Sequence, residues 1–180
     1  MENLYLREKK DVTFAKNERQ IEVYNDFINA LNSLKEALIA NEGKVLNKRI
    51  EKHLEKINSN NPNVVIRYLS NYSNAFNIYT KNAWFKVNDN GYYIEYKDFD
   101  INRLSIINED NRLDKEKIIQ YIDNIITQFD KEIKSIKYTL ENYDTMLDEY
   151  ATILEKYKAF QNAYDYSMIN AIGLTRERLY

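Results

Sequence analysis

From Asn111 to Ile172 the chain has no glycine and no proline, and apolar residues recur along it at Ile118, Ile122, Ile125, Phe129, Ile133, Ile136, Leu140, Tyr143, Leu147, Tyr150, Leu154 and Tyr157. This is a nearly continuous heptad-like seam, so the segment from about 114 to 172 is expected to be helical. A single helix over Asp114 to Ile172 would be about 85–90 Å long, far beyond a compact domain of this size. It must fold back on itself or find a partner. Glu141, Asn142, Tyr143, Asp144 and Thr145 are its weakest helix formers, and Asp144 or Thr145 would cap a following helix. The sequence leaves an antiparallel hairpin and a continuous helix both open. Tyr143, Leu147, Tyr150, Leu154 and Tyr157 are the candidate oligomer seam, and a homodimer is expected, because an N-terminal helix of about 27 residues covers only about 40 Å of it.

Tyr24, Phe27, Leu31, Leu34 and Leu38 advance by three and four residues, the spacing of one helical stripe, so a helix is expected from about Phe14 to Ala40. Gly43 then supplies a stop. A second helix is expected from near Lys44, burying Leu46, Ile50, Leu54 and Ile57 and ending at Ser59 to Asn63, which contains Pro62. From Val64 to Ile107 the runs VVIRYL, AFNIYT, AWFKV and GYYIEYK are β-branched and aromatic. They predict an antiparallel meander of about four strands. Asn90-Gly91, preceded by Asn88-Asp89, marks a tight turn between strands Trp84 to Val87 and Tyr92 to Tyr96. The fold class that follows is α+β, one domain over 1–180, with helices over 14–58, a sheet over 64–107 and the long helical segment over 114–172.

The 26 basic and 28 acidic residues give a pI near 5.6, so no global positive field draws nucleic acid or anionic membrane to the chain. Any such binding must come from a local patch. With no cysteine there are no disulfides or thiolate metal sites, and no apolar run approaches the roughly 20 residues of a membrane span. The residues after Met1 are charged and polar, unlike a signal peptide, and a cytoplasmic location is expected. Catalysis is poorly provided for: His53 is the sole histidine, no strained nucleophile turn is evident, and neither GxGxxG nor GxxxxGK[ST] occurs. Asp98 with Asp100, and Asp144 with Asp148, are acidic pairs of a kind common on solvated surfaces. No enzyme activity, metal or cofactor is expected.

Lys44, Lys48, Lys52 and Lys56 stand at i,i+4 steps, with Arg49 beside them. On a helix they would form one cationic stripe able to follow phosphates or meet an acidic partner, although Glu51 and Glu55 reduce its net charge. Alternation in AWFKV sends Phe85 and Val87 to one face and Trp84 and Lys86 to the other. If Trp84 stays uncovered with some of Tyr68, Tyr79 and Tyr93, that face is a platform for a protein surface or for stacked bases. The candidate partner-binding residues are therefore Lys44, Lys48, Arg49, Lys52, Lys56, Trp84 and Tyr93. A separate acidic stretch, Glu141, Asp144, Asp148, Glu149 and Glu155, has no basic residue between Lys137 and Lys156.

The segment GKVLNKRIEKHLEKI, best matched over Gly43 to Arg49, then the aromatic meander with AWFKV and GYYIEYK and the coiled-coil-like tail, resembles a group of small accessory proteins carried by phages and integrative elements of low-GC bacteria. Proteins of that setting include anti-defence factors, among them inhibitors of type II CRISPR-Cas nucleases that bind and block. The resemblance implies a non-enzymatic inhibitor in a bacterial cytoplasm with a host protein, such as a Cas nuclease, as its partner. A DNA- or RNA-binding accessory protein and a coiled-coil assembly protein are the alternatives.

Overall fold

The computed structural model describes the backbone of residues 2–71 and 73–177, and the side chains of residues 9–71 and 73–168. The fold is α+β. Helices α1 (Glu2–Ile39) and α2 (Ile50–Asn60) are followed by strands β1 (Val64–Leu69), β2 (Ala75–Thr80), β3 (Trp84–Val87), β4 (Asn90–Tyr93) and β5 (Asp98–Asn102), then by α3 (Lys115–Glu141) and α4 (Tyr143–Glu177). The chain divides into two compact units, residues 1–137 and 138–180. No described helix is long and apolar enough to cross a membrane.

The helical stripe on α1 becomes the core of the first unit. Tyr24, Phe27, Leu31, Leu34 and Leu38 are all fully buried, and α3 meets them with Ile118, Ile122, Phe129 and Ile133. Phe129 stacks on Phe27 with ring centroids 4.9 Å apart and also meets Tyr24 edge-on at 5.2 Å. Beside this core the partly exposed Lys35 ammonium donates to Asp123, tying α1 to α3.

The expected four-stranded meander is instead two sheets, a three-stranded antiparallel sheet in the order β1-β2-β5 and a separate hairpin of β3 and β4. The β2 strand is central, with Ile66 opposite Ile78 and Ile78 opposite Phe99, so one face presents a row of apolar side chains to the core. The opposite face carries Arg67, Asn77, Tyr79, Asp98 and Asp100. There Asn77 Nδ2 donates to both Asp98 (2.7 Å) and Asp100 (2.9 Å), and Arg67 lies over the Tyr79 ring. The suspected acidic pair is thus bridged by an amide across strands.

The tight turn falls two residues earlier than expected. Asn88 and Asp89 both take positive φ, 50° and 66°, and Asn90 and Gly91 are already in β4, opposite Val87 and Lys86. Asn and Asp tolerate the left-handed region, so they satisfy the turn without glycine. Gly91 answers a different need: a Cβ there would lie 2.5 Å from Trp84 Nε1. The strand also ends sooner than expected, at Tyr93, beyond which the Ile94 N–H donates to Ala83 O.

The second helix begins at Ile50 and not near Lys44. The preceding residues pair with the segment before α3: Gly43 N–H donates to Leu113 O, Leu113 N–H to Lys44 O, and the Arg112 guanidinium to Gly43 O. These bonds tie 43–45 to the segment before α3, with Gly43 at a left-handed φ of 72° and Val45 bridged to Arg112, and Asn47 Oδ1 then accepts the Arg49 N–H to start the turn into α2. At the far end of α2, Asn58 grips the outer edge of β1, its Nδ2 donating to Ile66 O (2.9 Å) and its Oδ1 accepting the Ile66 N–H (2.8 Å).

The 114–172 segment is two helices divided by the single residue Asn142, and α4 runs through Gly173 to Glu177. The Asn142 side chain donates to Tyr138 O at 2.8 Å, competing with its own backbone N–H for the same carbonyl. Such local bonding is what makes Asn a poor helix-interior residue.

Candidate protein-binding surface

The hairpin divides its side chains as the alternation requires. Phe85, Val87 and Tyr92 are half-buried, with Phe85 and Tyr92 in ring contact, while Trp84, Lys86 and Tyr93 face outward. Trp84 and Tyr93 are cross-strand partners, 40% and 69% exposed, so two large aromatic side chains stand together in solvent. The indole is held on two sides. Its edge lies directly over Gly91, where no side chain fits, and the Lys86 ammonium sits 5.6 Å from the ring centroid. Tyr68 and Tyr79 do not join this platform: they belong to the β1-β2-β5 sheet, where Tyr68 packs on Phe76.

The cationic stripe is only partly assembled. Lys44, Lys48, Arg49, Lys52 and Lys56 are all exposed, but only Lys52 and Lys56 lie on α2 at helical spacing. Lys44, Lys48 and Arg49 lie in the irregular stretch before it, for the reason given by the Gly43–Leu113 pairing. What the fold makes instead is a small cavity of about 170 Å³ at the start of α2, lined by Lys44, Arg49, His53 and the side of Leu46. His53, the sole histidine, is brought to the same cavity as two of the expected cations.

A third group was not foreseen. Tyr24 Oη donates to Glu95 (2.7 Å), and the Lys97 ammonium reaches Glu95 (2.9 Å) and Glu132 (3.3 Å) while lying over the Tyr24 ring. Beside it a groove of about 400 Å³ runs between β5 and α3, floored by Phe99, Ile125 and Phe129. Burial, then hydrogen bonding to Glu95 and Glu132, raises the Tyr24 pKa. The Tyr24 and Lys97 hydrogen bonds lower that of Glu95 against the opposing effect of its burial. Burial pulls Lys97 down, but its bonds to the two carboxylates outweigh this and leave it raised. Both raised groups hold their protons more tightly when folded, so they contribute stability that is lost as pH climbs past about 10. Glu95 contributes stability present above about 4.5 and lost as pH falls below it. Thermal denaturation across pH should therefore show a plateau between these limits, and in Tyr24→Phe with Lys97→Met the alkaline fall should be blunted. An unchanged alkaline limb in that variant would remove the cluster as its cause.

On α4, Leu147 is half-buried, while Tyr150, Leu154 and Tyr157 of the expected seam are exposed, as are Ile153, Phe160, Tyr164 and Met168 on the same helix. Tyr143, the first seam residue, is half-buried. Among the described residues no group of three or more His, Asp or Glu side chains is placed to hold a metal ion. No protein-family model, no curated protein and no solved structure matches this chain.

Proposed function

We propose that the chain is a non-enzymatic binding protein that acts by covering a surface of a protein partner, with Trp84 and Tyr93 as its anchor. The observation that carries this reading is the exposed Trp84 indole fixed between Gly91 and Lys86. Interface energy concentrates in a few large aromatic residues, and an anchor already held in one orientation loses less conformational freedom on docking. The resemblance to accessory proteins of mobile elements supplies the specific form: inhibition of a host defence nuclease of the Cas type, in a bacterial cytoplasm, by steric blocking.

The test is a DNA-cleavage assay with a purified, guide-loaded type II Cas nuclease, run with the unmodified protein and with two variants. Trp84→Ala should weaken inhibition by about 30-fold, the usual consequence of losing a hot-spot aromatic. Gly91→Ala should weaken it in the same direction, because the new methyl must displace the indole, while folding is preserved: Gly91 does not need positive φ. No inhibition by the unmodified protein would sink the nuclease form of the proposal. Inhibition untouched by either substitution would move the anchor elsewhere.

Direct nucleic-acid binding is favoured by one observation, the gathering of Lys44, Arg49 and His53 around a single cavity. Titration with a DNA duplex at low and high salt separates the two readings, since affinity owed to phosphate contacts falls steeply as salt rises.

A further inference from the structure

The α4 helix carries an apolar stripe wider than a simple two-position seam. With Leu147, Leu154, Gln161 and Met168 at the heptad a positions, Tyr150, Tyr157 and Tyr164 occupy d, and Met146, Ile153 and Phe160 fall at g. Ile153 is 64% and Phe160 70% exposed, although both are among the most apolar residues of the helix. Taking aromatic side chains at about 150–250 Å² each, these exposed residues offer roughly 1,000 Å² per copy, above the ~800 Å² per partner of a standard interface. The area is that of a dimer and not of an incidental patch.

Two features say which occupant fits, and in which direction. In a parallel pair each g residue flanks an e residue of the other helix, which would set Ile153 against Lys158 and Phe160 against Asp165. In an antiparallel pair g flanks g, and Ile153 meets Phe160. Charge points the same way. The stretch from Glu141 to Glu155 has acidic residues and no basic one, whereas from Lys156 to Met168 there are two lysines and one aspartate. Parallel pairing would stack the acidic stretch on its own copy, and antiparallel pairing lays it on the stretch bearing Lys156 and Lys158.

We propose that α4 binds a second copy of itself in the antiparallel sense, with the two-fold axis between Glu155 and Lys156. In that register Leu154 packs on Tyr157 of the second copy, Tyr150 on Gln161, and Leu147 on Tyr164, so every a position faces a d position. The proposal rests on α4 alone and does not depend on the partner bound through Trp84.

The chain has no cysteine, so introduced ones report without background. At tens of micromolar the unmodified protein should sediment at twice its 21.6 kDa chain mass. Under oxidation Tyr150→Cys alone should stay uncrosslinked, because antiparallel copies hold these positions about 16 Å apart along the axis, beyond disulfide reach. Tyr150→Cys with Gln161→Cys should give a covalent dimer, as should Leu147→Cys with Tyr164→Cys, a second pair in the same register that guards against a local defect in the first. Crosslinking of the single variant would show a parallel pair and overturn the orientation. A dimer in which neither double variant crosslinks would overturn the register, and a monomer at all concentrations would overturn the second copy itself.

Discussion

Phe129→Ala should destabilise the first unit by about 3–5 kcal/mol, the range for removing a buried phenylalanine from a core that cannot close around the gap. Phe129 is 5% exposed and is the point where three elements meet: it stacks on Phe27 of α1, meets Tyr24 edge-on, and approaches Phe99 of β5 at 6.0 Å. Its loss would leave the three remaining rings without their common neighbour. They stand on two elements, Tyr24 and Phe27 on α1 and Phe99 on β5, so relaxation of one element would not close the space left beside the other. Urea unfolding followed by far-ultraviolet circular dichroism measures the change. Phe129→Leu should cost distinctly less, since most of the volume is kept. A loss below about 1 kcal/mol for the alanine variant would mean that the ring cluster is not where the unit's cohesion resides.

Asn58→Ala should cost about 2–4 kcal/mol, an effect out of proportion to the small side chain removed. Ile66 is 1% exposed, and its backbone N–H and C=O point away from β2 toward α2, where the Asn58 amide satisfies both. Truncation leaves a buried donor and a buried acceptor together, and each carries a desolvation penalty. Asn58→Asp should recover little: it can still accept from Ile66 N–H, but it turns an oxygen toward the Ile66 carbonyl. Hydrogen exchange at the Ile66 amide gives a local readout, protected in the unmodified protein and fast in Asn58→Ala. Retained protection in the variant would show that water or another group takes the place of the amide.

The two positions differ in how much of their role could be read in advance. Phe129 lies on the heptad-like seam, so its helix and its inward direction follow from spacing alone. That it would meet Phe27, Tyr24 and Phe99 does not, because those residues are roughly 30 to 105 positions away in the chain. Asn58 gave no signal at all: it sits beside a cluster of turn formers, and its amide has work only because β1 passes within reach. The Tyr24, Glu95, Lys97 and Glu132 group is of the same kind, assembled from α1, the stretch after β4, and α3.

What the sequence by itself determined is the set of properties that depend on near neighbours. The period of apolar residues sets the α1 stripe and the α3 seam, β-branched and aromatic runs set four of the five strands, β5 lying outside them, and alternation sends Trp84 to the face opposite Phe85. These hold because the 3.6- and 2-residue repeats are geometric consequences of the backbone. Tertiary structure decided where the local signals were weak or equally served. Pairing of Gly43–Val45 with Arg112 and Leu113 delayed α2 to Ile50 and broke the lysine stripe, since those backbone groups had partners to bond outside a helix. The Trp84 indole claimed Gly91, which left the turn to Asn88 and Asp89, because a glycine is needed most where another group must approach the backbone closely.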